Sequence, residues 1–115
     1  MRTRELDLSD LASADEVRVT DNLNLELDRV TDAAAIRRLG DWLGERQQGW
    51  YVPREGVHIA SVRLTFYRGG QTMGSVGLSG EFLVAQRRGS FAQRDAEPRE
   101  RAEALAILGV SYPEA

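Results

Sequence analysis

Residues 57–92, VHIASVRLTFYRGGQTMGSVGLSGEFLVAQRRGSFA, constrain the fold more than any other stretch of this chain. They read as three strands joined by glycine turns. Val62, Leu64 and Phe66 alternate with Arg63, Thr65 and Tyr67, which sends the two sets to opposite faces of a strand. Gly69-Gly70 then marks a reversal. A two-residue loop there would group Val62, Leu64 and Phe66 with Met73, Ser75 and Gly77. A three-residue loop, Arg68 to Gly70 with Gly70 left-handed, would group them with Val76 and Leu78. The second register builds a continuous apolar face and is the one expected. Ser79-Gly80 makes the next reversal. Phe82 to Ala85, apolar on both sides, suits an inner strand, and Ser90 to Arg94 a short edge strand.

The flanking segments complete an α+β pattern. Residues 1–15 form an extension, with Leu6, Leu8 and Leu11 set among acids, compatible with an added strand, a short helix or loose order. A hairpin begins at Glu16. Val17 and Val19 alternate with Arg18, Asp21-Asn22 turns, and Leu23, Leu25 and Leu27 alternate again. Thr31 is the expected N-cap of a helix over 32–48, with Asp32 in its first turn. Its apolar stripe is Ala35, Ile36, Leu39, Trp42 and Leu43. Gly40 and Gly44, one turn apart, suggest close approach to the sheet, and Gly49 ends the helix. Pro98 opens a second helix with Ala102, Leu105, Ala106 and Leu108 inward and Gly109 as its stop. The order is hairpin, helix, three or four strands, helix. It predicts one α+β domain over 16–110, with an antiparallel sheet of about five strands, helices on one face, and a tail at 111–115.

Composition narrows the chemistry. With no cysteine there is neither a disulfide framework nor a thiol nucleophile. No apolar run reaches the length of a membrane span, and no signal-peptide pattern follows Met1, so a cytoplasmic location without membrane attachment is expected. The net charge of −3 is unevenly spread: residues 1–32 carry −5, residues 33–94 carry +5, and residues 95–115 carry −3. Every basic residue is an arginine, whose planar fork suits carboxylate and phosphate partners.

Sites for catalysis and cofactors are not visible. One histidine and no cysteine cannot build a clustered metal site, and His58 at a strand start reads as an ordinary side chain. Asp21-Asn22 and Asp28 with Asp32 lack calcium-loop spacing and read as turn and cap residues. The Gly69-Gly70 and Gly74–Gly77 glycines precede a strand, not the helix a phosphate loop requires. Ser79-Gly80 is not a nucleophile elbow. Asp41 and Glu45, near Arg37, Arg38 and Arg46, read as a solvated helix face, as do Glu97, Arg99, Glu100, Arg101 and Glu103. No catalytic residue, metal or cofactor is expected.

Two groups suit a partner. Arg63, Thr65 and Tyr67 face away from the helices, joined by Arg87 or Arg88, and arginine and tyrosine are frequent interface anchors. Trp50 and Tyr51, within Trp50-Tyr51-Val52-Pro53, either wedge into the core or form a second patch.

The segments GWYVP, VRLTFYRGG, GSVGL, GEFLVAQRRGSF and AILGV together resemble a pattern found in small uncharacterised bacterial α+β proteins, across roughly residues 16–110. That resemblance implies a fold and transfers no activity or site residue. The expected role is therefore a non-enzymatic domain that binds another protein, of the interaction, inhibitor or immunity kind, through the outer sheet face or an exposed strand edge. Weak, sequence-nonspecific nucleic-acid binding by the Arg-bearing face is the alternative, disfavoured by the acidic ends, and an enzyme relying on carboxylates alone is a third, lesser reading.

Overall fold

A computed structural model of the chain describes residues 2–55 and 59–111. The architecture is α+β, with one antiparallel sheet of seven strands and two α-helices. In chain order the elements are β1 (Glu16–Asp21), β2 (Glu26–Val30), α1 (Ala33–Gly44), β3 (Trp50–Tyr51), β4 (Val62–Arg68), β5 (Gln71–Leu78), β6 (Phe82–Arg87), β7 (Ser90–Asp95) and α2 (Pro98–Leu108). A 3-10 helix at Ser9–Ser13 precedes them. The strands lie in the order β2-β1-β4-β5-β6-β7-β3, so the segment 57–92 contributes the middle of the sheet. Two strands exceed the expected count. Trp50–Tyr51, expected as a link, pairs with β7, which puts β7 inside the sheet and not at its edge.

The expected apolar face is present, but the turn that creates it differs. Arg68 pairs with Gln71, so Gly69-Gly70 is a two-residue loop with both φ angles positive, 58° and 78°. That turn alone would have put Met73 and Ser75 on the core side. A bulge repairs the register, because Phe66 pairs with Gly74 whereas Tyr67 pairs with Thr72. Met73 is the extra residue, and beyond it Leu64 meets Val76 and Val62 meets Leu78, all buried.

The inner face joins Val17, Val19, Leu64, Val76 and Leu83 to the α1 stripe Ala35, Ile36, Leu39, Trp42 and Leu43 in one core. Asp32, not Thr31, caps α1: its Oδ1 accepts the Ala34 N–H at 3.0 Å. The helix stops at Gly44, four residues before the expected end, since Trp50 must turn back to reach β7. Gly40 does permit a close approach, but to the 3-10 helix and not to the sheet. A Cβ there would lie 2.3 Å from the Ala12 Cβ and 2.7 Å from its Cα. The N-terminal segment is thereby packed, with Leu8 and Leu11 buried beside α1. On α2 the inward residues are Glu100, Ala104, Leu105 and Leu108; Ala102 and Ala106 are exposed, contrary to expectation. Gly109 ends that helix in the left-handed conformation, as expected.

Candidate functional site

The helices and the 3-10 segment cover one sheet face. The other face carries a row of directly paired residues, Arg18, Thr65, Ser75, Gln86 and Phe91. Beside it runs the row of Thr20, Arg63, Gly77, Val84 and Gln93, ending at Tyr51. Ala60 folds over this second row: a Cβ on Gly77 would come within 2.7 Å of the Ala60 Cβ. The first row stays open, and a groove of about 410 Å³ lies along it.

Four of the seven expected partner residues, Arg63, Thr65, Arg87 and Arg88, line this groove. Arg63 is exposed at the groove margin. Arg88 stands in the β6–β7 turn with φ 46°, next to Gly89 at φ 80°. Arg87 belongs to the inner-face set of β6, and its guanidinium grips both carboxylate oxygens of Asp10 from the 3-10 helix. Gly74 makes room for that arm, since a Cβ there would lie 2.9 Å from the Arg87 Cγ and 3.1 Å from the Gln86 carbonyl oxygen.

Tyr67 shares the outer face but lies outside the groove. The Arg18 guanidinium stacks on its ring, 4.4 Å from the centroid, while the Arg18 Nε donates to Glu16 at 2.7 Å. Trp50 is fully buried and its Nε1 donates to the Arg46 carbonyl at 2.6 Å, so its role is core packing and not partner contact. Tyr51 sits four strands from Arg63, at the far margin of the sheet. Its hydroxyl donates to Asp95 at 2.7 Å and accepts from Gln93 at 3.1 Å. The hydrogen bond to the Asp95 carboxylate, reinforced by partial burial, raises the phenol above its ordinary pKa. His58 lies outside the described residues.

Two features are not apparent from residue patterns alone. Leu23, Leu25 and Leu27, expected as the alternating residues of the second hairpin strand, are 74%, 61% and 38% exposed. Leu23 and Leu25 belong to the hairpin loop, and Leu27 is the bulged residue of β2, since Val19 pairs with Asp28 and Thr20 with Glu26. The loop is firmly built. Asp21 Oδ1 accepts from the backbone N–H of Leu23 at 2.8 Å and of Leu25 at 2.9 Å, and Asn24 adopts φ 64°. Ile59, 83% exposed, is at the same end of the sheet, because Asp21 pairs with Val62.

The second feature is a charged junction among α1, α2 and β7. Glu100, expected on a solvated helix face, is 8% exposed. Its Oε1 accepts from the Arg46 Nε at 2.8 Å and lies 3.5 Å from the Arg94 Nη1; its Oε2 accepts the Glu97 N–H at 2.7 Å. Arg46 therefore serves Glu100, with Glu103 at 3.8 Å, and not Asp41 or Glu45 as expected. It also stacks on Trp42, 3.7 Å from the ring centroid, and donates to the Trp42 carbonyl. Burial pushes the Glu100 carboxyl up. The Arg46 hydrogen bond, the Glu97 N–H and the charges of Arg46 and Arg94 outweigh it, leaving the group below the ordinary glutamate value. A depression of about 460 Å³ opens beside this junction, but its carboxylates are committed: Asp95 to Tyr51, Glu97 to Arg99 and Glu100 to Arg46.

Among the described residues no group of three or more His, Cys, Asp or Glu converges on a metal position, and no helix is long and apolar enough to cross a membrane. Compared with known protein families, curated proteins and solved structures, the chain matches none.

Proposed function

We propose that this protein is a binding module for another protein and that the leucines of the β1–β2 hairpin are its principal anchor. Three exposed leucines on one loop and its adjoining bulge are the observation that carries this reading. Single exposed apolar residues scattered over a domain are normal, whereas three on five consecutive residues of one hairpin are a candidate contact surface. The Asp21 bonds hold the loop ready, which lowers the entropic cost of docking.

Strand addition to β2 is the weaker mode. The Leu27 bulge breaks the edge, Asp28 Oδ1 accepts the Arg29 N–H at 2.7 Å, and Glu26 pairs with Arg29 at 3.0 Å. Bulges and charged side chains are common defences of exposed strand edges. Recognition then falls to the side chains. The acids around the tip, Asp21, Glu26 and Asp28, favour a partner whose apolar pocket has a basic rim. Weak nucleic-acid binding has less support, because Tyr67 is already stacked on Arg18 and Glu16 brings negative charge to the same face.

The test is capture of a partner from native lysate, with tagged wild-type protein beside a Leu23→Ser/Leu25→Ser variant. The variant should lose a salt-resistant, nuclease-resistant protein band while its thermal unfolding stays within about 0.5 kcal/mol of wild type. Capture that survives the leucine changes but fails in Arg63→Glu/Tyr67→Ala would transfer the role to the outer face. A band removed by nuclease would replace the reading with nucleic-acid binding.

A further inference from the structure

The outer-face groove is separate from the hairpin tip, and its chemistry is different. Among the described residues no acidic one lines it. The charge of Arg87 is met by Asp10, whereas Arg63 and Arg88 have no hydrogen-bond or ion-pair partner among the described residues. Between these two arginine positions in the sheet lie Thr65, Ser75 and Gln86, paired directly across three strands.

The geometry points to a second binding site, one for an extended acidic peptide segment of a partner protein held through two of its carboxylates. Spacing favours a ligand that carries two anionic groups. Arg63 pairs with Gly77, and Gly77 pairs with Val84, which fixes how β4 aligns with β6. Arg88 therefore lies two strands from Arg63, about 10 Å across the sheet, and four residues further along, about 13 Å. Arginines at these two positions stand at either end of the Thr65–Ser75–Gln86 row, an arrangement that suits an extended ligand. Each fork can take a carboxylate side-on. The hydroxyls and the amide between them both donate and accept, which suits a peptide backbone lying across the row. Single-stranded nucleic acid is bound mainly by stacking bases on free aromatic faces, and among the described residues no aromatic lines this groove.

A fluorescein-labelled decapeptide of alternating glutamate and valine, titrated into the full chain at low ionic strength and read by anisotropy, tests the site. Saturable binding is expected, and it should weaken about tenfold or more in Arg63→Gln/Arg88→Gln. Arg37→Gln/Arg38→Gln, which changes two exposed arginines of α1, should bind as wild type. Thermal unfolding of the Arg63→Gln/Arg88→Gln variant should match wild type, and the Leu23→Ser/Leu25→Ser variant should retain the peptide, so failure of this site is distinguishable from failure of the hairpin. No binding, equal loss in both arginine variants, or loss in the leucine variant instead would overturn the inference. Tighter binding of an oligothymidylate that displaces the peptide would overturn it in favour of nucleic acid.

Discussion

Gly40→Ala should lower the stability of this protein by about 2 kcal/mol, although the same change in most helices would raise it. In an open helix interior alanine is better than glycine by about 1 kcal/mol. Here the new methyl would stand 2.3 Å from the Ala12 Cβ, 2.7 Å from its Cα and 2.9 Å from its backbone nitrogen. Backbone cannot rotate aside as a side chain can, and the 3-10 helix carrying Ala12 is pinned by Leu8 and Leu11, at 1% and 0% exposure. Overpacking of this kind costs about 1–3 kcal/mol, and an obstacle made of anchored main chain belongs at or above the top of that range. The net loss should depress the melting temperature by about 6–12 °C. Gly44→Ala supplies the control. Its nearest neighbour would be the Ser9 Cβ at 3.3 Å, so it should leave stability within about 0.5 kcal/mol of wild type. Adding Ala12→Gly to Gly40→Ala should restore part of the loss, a coupling that a double-mutant cycle reads directly. If Gly40→Ala melts at or above the wild-type temperature, the packing of the N-terminal segment on α1 is not as described.

How much of this was legible in the sequence depended on whether local pattern or long-range contact decided each feature. The alternation of Val62, Leu64 and Phe66 survives folding intact because all three enter one core. So does the α1 stripe, whose spacing reflects helix geometry alone. The Gly69-Gly70 loop shows where such reasoning stops. Loop length and face assignment are coupled only in a regular ladder, and the Met73 bulge uncouples them without a signature in residue type. Gly40 and Gly44 announced a close approach, but nothing local told which element would approach. The leucines illustrate the same limit on a surface: alternation separates two faces of a strand and does not say which face is covered. Leu23 and Leu25 lie beyond the end of β2, where no layer of the fold reaches them. Of the outer-face site, Arg63 and Thr65 were legible from β4 alone. Arg88 joined them through two hairpins, whereas Arg87 shares the inner face of β6 with Leu83 and Ala85 and meets Asp10, 77 positions away.

Glu100 is the residue whose importance pattern reading most understated, and removing it should cost about 3 kcal/mol. Glu97-Pro98-Arg99-Glu100 has the form of a helix start in which the third residue reaches back to the cap N–H, and that bond is present at 2.7 Å. Such glutamates are usually solvated. This one also receives Arg46 from the end of α1 and faces Arg94 from β7, so one carboxylate ties three elements together. Removing one partner from a buried ion pair costs about 3–5 kcal/mol, because the remaining charge keeps its desolvation penalty. The lower end applies here: the Glu100 and Arg46 side chains retain 11% and 17% exposure, and Arg46 keeps Glu103 at 3.8 Å. Glu100→Ala should accordingly show the larger loss, and Glu100→Gln, which preserves an acceptor for the Glu97 N–H, a smaller one. Acid provides a sharper discrimination than size of effect. The folded-state pKa of Glu100 lies below the ordinary glutamate value of about 4.3. Its contribution is therefore complete above about pH 5 and disappears as pH falls through the folded pKa. The stability gap between wild type and Glu100→Gln should narrow steadily as pH is lowered from 5 to about 3, when denaturant midpoints of the two are compared. A gap that stays constant across that interval would mean that the carboxylate charge of Glu100 does not hold the junction, and that its hydrogen-bond geometry alone does.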